Sequence, residues 1–275
     1  MGFPRALGGG ATAKQGNQSS DVRVVQCLLN LDRNRSDSGN TEPKLSLNGK
    51  LDDATQKAID LYQTSALKMK EPDGRVDKGR GMIKRLAAAL PGLPTTEYSE
   101  PAWLRVAYGE EKAKIREAGP AHDFTTNTER ILRYLETASS LSTINYTYTE
   151  KVDGKKTKID SGYRMNAVED TPWCACFVNW CLIEAKVQRG PGASARDYRG
   201  YGVAAAKGQV GAICSIYRDP FSDSSSGNHV GFYIGGDADA GYVALLGGNQ
   251  DNRVCRKWFV GIEPSEIILR WPPGA

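Results

Sequence analysis

The chain has 275 residues, of which 40% are hydrophobic and 25% charged, and its formal net charge is +4. That length favours two domains over one, each large enough to bury a core. Lys and Arg are scattered among nearly as many acids, which speaks against nucleic acid as a partner, and no run approaches the roughly 18 apolar residues of a membrane span.

The N-terminal stretch MGFPRALGGGATAKQ has no apolar core of about 7 to 15 residues, so no Sec-type signal is read in it. A protein made in the cytoplasm is expected, one that needs another delivery route if its target lies outside. Cys27, Cys174, Cys176, Cys181, Cys214 and Cys255 are too sparse for a disulfide scaffold, and no paired CxxC spacing suggests zinc. One or two bridges at most, and no cofactor or metal, are expected.

From Asp21 to Leu31, Val22, Val25, Leu28 and Leu29 recur at helical spacing behind the caps Ser20 and Asp21. A second helix is expected over Asp53 to Gln63. A third carries Met82, Ile83, Leu86 and Leu90 before Pro91-Gly92 stops it. Two turns repeat one pattern, Asn48-Gly49-Lys50-Leu51-Asp52 and Asp73-Gly74-Arg75-Val76-Asp77. An internal half-repeat and the ordinary frequency of Asx-Gly turns before helices explain this equally well. Gly92 to Thr96, with Pro94 inside it and Pro91 just ahead, reads as a linker. The domains are therefore expected at 1–95 and 96–275.

Beyond the linker, Ala102 to Ala113 and Asn127 to Ala138 read as helices. Asn145 to Thr149 and Lys155 to Ile159 flank the turn signal Val152-Asp153-Gly154, so they read as a hairpin. After a helix near Pro172 come short apolar runs at Val210 to Ile216, His229 to Ile234, Tyr242 to Leu246 and Cys255 to Val260. Helices followed by strands give an α+β fold, a small three-helix bundle ahead of a mixed domain.

Asp170 or Thr171 can cap a helix whose first position is Pro172, which puts Cys174 in its first turn. There the helix dipole and unpaired N–H groups favour a thiolate, the form that attacks a carbonyl. Cys174 also shares an apolar face, and burial as a packing residue is the simpler explanation from pattern alone. Cys176 and Cys181 lie deeper in the helix and read as packing residues. Of the two histidines, His122 lies in a loop, whereas His229 opens a strand behind a polar stretch, a position that suits a general base. A third polar group must orient the imidazole. Asn249, Gln250 and Asp251 follow the Gly247-Gly248 pair, where a bulge can switch faces, and a plain surface turn is the alternative.

Asp21-Val22-Arg23, Gln26, Leu28-Leu29-Asn30, Asn48-Gly49, Thr55, Tyr62-Gln63 and Asp73 to Asp77 together resemble the three-helix peptidoglycan-binding domain found beside wall hydrolases, over roughly Gly8 to Pro91. The pattern departs at Asp52, where a glycine is usual, and in a polar insert from Asp32 to Lys44. Pro101 to Leu104, Thr171 to Ala175, Phe177 to Cys181, Asn228 to Phe232 and Leu246 to Gln250 resemble the NlpC-type and CHAP superfamily of papain-like hydrolases, in matching order. Here Cys176 stands where a small residue is usual, and Ile144 to Tyr163 is an insertion.

The resemblance implies an antiparallel sheet packed on the helix bearing the nucleophile, and cleavage of peptidoglycan amide bonds by an endopeptidase or amidase. Cys174 is then the nucleophile, His229 the base and Asn249 the orienting residue. Peptidoglycan is the expected partner and the periplasm or cell wall the place of action. Delivery is expected through a type VI secretion apparatus, with an immunity protein covering the Cys174 groove, or through a phage holin. A non-catalytic wall-binding protein and a papain-like acyltransferase or transglutaminase are the alternatives.

Overall fold

The computed structural model describes residues 18–35, 43–77, 80–117, 126–137, 146–152, 155–161, 172–217 and 227–275. His122, the caps Asp170 and Thr171, and the turn residues Asp153 and Gly154 lie outside them, as do residues 1–17 and 36–42.

Three helices come first: α1 (Ser19–Arg35), α2 (Asp53–Ser65) and α3 (Gly81–Ala87). Their apolar faces bury Val22, Val25, Leu28, Ile59, Ile83 and Leu86, as the helical spacing requires. The two Asx-Gly turns are built alike. The Gln26 amide of α1 donates to Asn48 Oδ1 (2.8 Å) and the Lys50 carbonyl (3.1 Å), and its oxygen accepts from the Gly49 N–H (3.1 Å). Gln63 of α2 repeats this on Asp73 Oδ1 (2.6 Å), the Arg75 carbonyl (2.9 Å) and the Gly74 N–H (2.9 Å). Both glycines take left-handed φ values, 68° and 63°, which only glycine adopts at no steric cost. One helix glutamine thus satisfies three turn groups in each half, so the half-repeat is structural. Asp52 caps α2 by accepting from the Thr55 N–H at 2.9 Å.

The rest of the chain is mixed α+β. Helices α4 (Ala102–Lys112) and α6 (Cys174–Glu184) pack on a six-stranded antiparallel sheet, and α5 (Thr126–Glu136) packs on α6. A separate antiparallel pair joins β1 (Tyr146–Val152) to β2 (Lys155–Ser161). The main sheet contains β3 (Val203–Ala204), β4 (Ile213–Tyr217), β5 (Asn228–Asp237), β6 (Tyr242–Gly247), β7 (Cys255–Val260) and β8 (Ile267–Trp271), in the order β3-β8-β4-β5-β6-β7. Two of these strands, β3 and β8, are not among the apolar runs singled out from the sequence. Strand alternation divides the sheet between two apolar clusters. Val230, Phe232, Leu246 and Trp258 belong to the cluster that contains α6, whereas Cys214, Ile216, Leu245 and Phe259 form a second cluster on the far face.

The amphipathic face expected for the nucleophile helix is not what α6 has. From Cys174 to Asn179, and again at Cys181 and Leu182, every residue is buried, because α4, α5, β5 and β6 surround it. A helix enclosed over its first two turns needs no polar stripe there. It starts at Cys174, not Pro172, with Trp173 at the N-cap and no side-chain cap bond.

The boundary near Thr95 does not separate two cores, since one apolar cluster runs from Val22 of α1 to Val260 of β7. The Cys27 thiol donates to the Ala240 carbonyl (3.4 Å), and Trp258 Nε1 donates to the Pro91 carbonyl (3.1 Å). Arg256 binds both oxygens of Glu111 (3.1 and 2.9 Å) and lies over the rings of Tyr98 and Tyr108. No helix among the described residues is long and apolar enough to cross a membrane.

Candidate active site

Cys174 is the first residue of α6, and its side chain is 3% exposed. Trp173 ahead of it is fully buried, and the indole N–H is satisfied by Glu117 Oε1 at 2.6 Å. Trp173 and Phe177 close directly over Gly248: a Cβ there would lie 2.5 Å from the indole and 2.6 Å from Phe177 Cβ. The glycine pair therefore lets the start of α6 sit against the end of β6, and Phe177 meets Phe232 of β5 edge-on at 6.4 Å.

His229 is the second residue of β5 and 4% exposed. Its Nε2 lies 3.0 Å from Gln250 Oε1. Gln250 is 2% exposed, and its amide nitrogen donates to the carbonyls of Leu245 (3.2 Å) and Cys255. Both amide hydrogens are thus directed at carbonyls, so the oxygen, an obligate acceptor, faces the ring. Nε2 must then carry the ring proton, and in the neutral imidazole Nδ1 is the acceptor. Phe259 backs the ring at 5.0 Å.

Gln250, not Asn249, is therefore the residue that the structure gives to His229. Asn249 lies in the turn at φ 53°, half-buried, and Asp251 at φ 55° pairs with Lys257. After Gly247 and Gly248 the chain leaves the ladder, and the Gln250 side chain folds back over Gly247, whose missing Cβ would meet Gln250 Oε1 at 2.9 Å. Strand alternation alone could not follow that reversal.

The helix bearing Cys174 packs on the strand bearing His229, at one end of the sheet. They approach that end from different sides. His229 pairs with Ile216 of the far-face cluster, whereas Cys174 belongs to the cluster on the α6 face. The structure thus brings His229 onto Gln250 and Phe259, with Cys174 on the other side of β5.

All six cysteines are free thiols. Burial pushes Cys27 up to about 11 and Cys176 up to about 12, the latter helped by the neighbouring charge of Cys174. Burial likewise raises Cys181, Cys214 and Cys255. These five stay protonated at neutral pH. Among the described residues no group of three or more His, Cys, Asp or Glu is placed to hold a metal ion.

Residues that the sequence reading missed are Glu117 and Phe259, whose roles arise from pairings across the fold. Compared with known proteins, the chain matches no family model, no curated protein and no solved structure.

Proposed function

We propose that the chain is a papain-like cysteine hydrolase that cleaves amide bonds in peptidoglycan. Cys174 is the nucleophile, His229 the general base and Gln250 the residue that fixes the ring. The observation that carries this reading is the buried His229–Gln250 hydrogen bond on the strand against which the helix beginning at Cys174 packs. A tautomer held with Nδ1 unprotonated is what a base needs in order to take a thiol proton.

In the first half-reaction the Cys174 proton passes to Nδ1 and the thiolate attacks the amide carbonyl. The tetrahedral adduct collapses to a thioester as the leaving amine takes the proton from the imidazolium. Water, deprotonated by Nδ1, then hydrolyses the thioester and restores the thiol. Cys174 and His229 lie on opposite faces of β5, so this transfer requires the ring and the thiol to come together around Asn228, the first residue of that strand.

Peptidoglycan as substrate rests on the resemblance of Thr171 to Ala175, Asn228 to Phe232 and the N-terminal glutamine-clamped turns to wall hydrolases. Action in the periplasm, delivery by a secretion apparatus or holin, and an immunity partner belong to the same reading. The test is digestion of purified peptidoglycan by the wild type and Cys174→Ala, with muropeptides resolved by mass spectrometry. New amine and carboxylate ends are expected from the wild type alone; equal products from both would remove Cys174 from the reaction.

A further inference from the structure

The start of α6 and the turn that carries Gln250 are tied together by one residue, Glu117, which follows α4. Its carboxylate accepts the Trp173 indole N–H at 2.6 Å, one residue before Cys174. Its backbone N–H donates to the Asn252 carbonyl at 2.8 Å, two residues after Gln250. The segment is held in place on either side: Arg116 forms a bridge to Arg253, and the Val254 N–H donates to the Ile115 carbonyl at 2.9 Å. Trp173 is itself a wedge, its ring filling the space over Gly248. A buried indole N–H needs a partner, and a carboxylate makes the stronger, charge-assisted kind of bond.

From this cross-brace we infer that Glu117 is a positioning residue, which sets the spacing between Cys174 and the His229–Gln250 pair by holding Trp173 against the Gly247-Gly248 turn. The inference rests on the hydrolase reading above. In this role Glu117 acts through Trp173 and Asn252. Misplacing reacting groups by about 1 Å costs about 100-fold in rate. Loss of the brace should therefore lower kcat while leaving substrate affinity nearly intact.

The experiment uses the full chain and two readouts. One is the pH profile of Cys174 alkylation by iodoacetamide, followed on the Cys174 peptide by mass spectrometry. The other is turnover on purified peptidoglycan. Glu117→Ala should lower kcat about 10- to 100-fold with KM changed less than about threefold, and weaken Cys174 alkylation below pH 7. Glu117→Gln keeps an acceptor for the indole and should restore most of both. Trp173→Phe loses the N–H together with part of the ring that fills the space over Gly248, so it should lose at least as much as Glu117→Ala. The double variant should then fall no further than Trp173→Phe alone. Melting curves identify any variant that has unfolded.

Wild-type turnover and alkylation in folded Glu117→Ala overturn the brace, as does a loss in Glu117→Gln equal to that in Glu117→Ala, which would make charge the cause. A wild-type Cys174 that alkylates only as an ordinary thiol, with its reactivity rising near pH 8 to 9, would instead sink the underlying Cys174–His229 reading.

Discussion

Replacing Gln250 by Ala removes three hydrogen bonds from a side chain that is 2% exposed. The His229 N–H is left without its acceptor in a buried site, which costs about 1 to 3 kcal/mol, and each lost bond to a carbonyl adds about 0.5 to 1.5 kcal/mol. The total comes to about 2 to 6 kcal/mol. At about 2 to 4 °C per kcal/mol for a large domain, Tm should fall by at least about 4 °C. The tautomer is released as well, so turnover of peptidoglycan should drop about 10- to 100-fold, less than the loss of a general base. Thermal melts and nitrogen NMR of the imidazole report the two effects separately. With only two histidines in the chain, the His229 signals can be assigned by comparison with His122→Ala. In the wild type the neutral ring should carry its proton on Nε2. Asn249→Ala is the control, expected to change turnover by less than about twofold because its side chain is not the ring's partner. The reasoning fails if Asn249→Ala loses as much turnover as Gln250→Ala, or if the Nε2 proton is unaltered in Gln250→Ala.

Gly261→Ala should destabilise the whole protein by about 2 to 4 kcal/mol, because φ is +72° and the new Cβ would lie 2.5 Å from the Val24 backbone nitrogen of α1. Calorimetry should show one lowered transition; an unchanged Tm would mean that α1 is not docked on the sheet. The Asp52 carboxyl is lowered to about 2, first by the Thr55 hydroxyl, then by the Asn48 side chain and the Thr55 N–H. Its folded pKa lies below the unfolded value of about 3.9, so its contribution is present above pH 4 and is lost as pH falls through 2. Asp52→Asn keeps the cap and should flatten acid destabilisation in that window by under about 1 kcal/mol, the discount that solvent exposure requires; identical acid melts would contradict it. Cys176→Ala should retain turnover, since burial and the Cys174 charge hold its thiol at about 12. A folded Cys176→Ala without activity would move the nucleophile.

Periodicity in the sequence was sufficient for most of the elements. Val22, Val25 and Leu28 already define the buried face of α1, and the pairing of Asn48-Gly49 with Asp73-Gly74 already suggests a half-repeat. Local chemistry explains this: a turn needs its glycine and a helix its apolar spacing wherever they sit in the fold. The small strand β3 was not legible, because Val203 and Ala204 pair only through Trp271 and Arg270, some 67 residues away. Nor was the enclosure of α6, whose all-round apolar sequence is ambiguous until its neighbours are known.

The site divides in the same way. Cys174 at a helix start and His229 at a strand start follow from local sequence. That Gln250 and not Asn249 meets the ring depends on how far Gly247-Gly248 lets the chain turn, and that in turn depends on Trp173 and Phe177 packing over Gly248. The side of β5 on which His229 lies is fixed by its register with Ile216 of β4. Glu117 joins the Trp173 side chain to the Asn252 backbone, residues 56 and 135 positions away. Contacts so distant in sequence leave no local pattern, and only the assembled sheet and helices bring them within bonding distance.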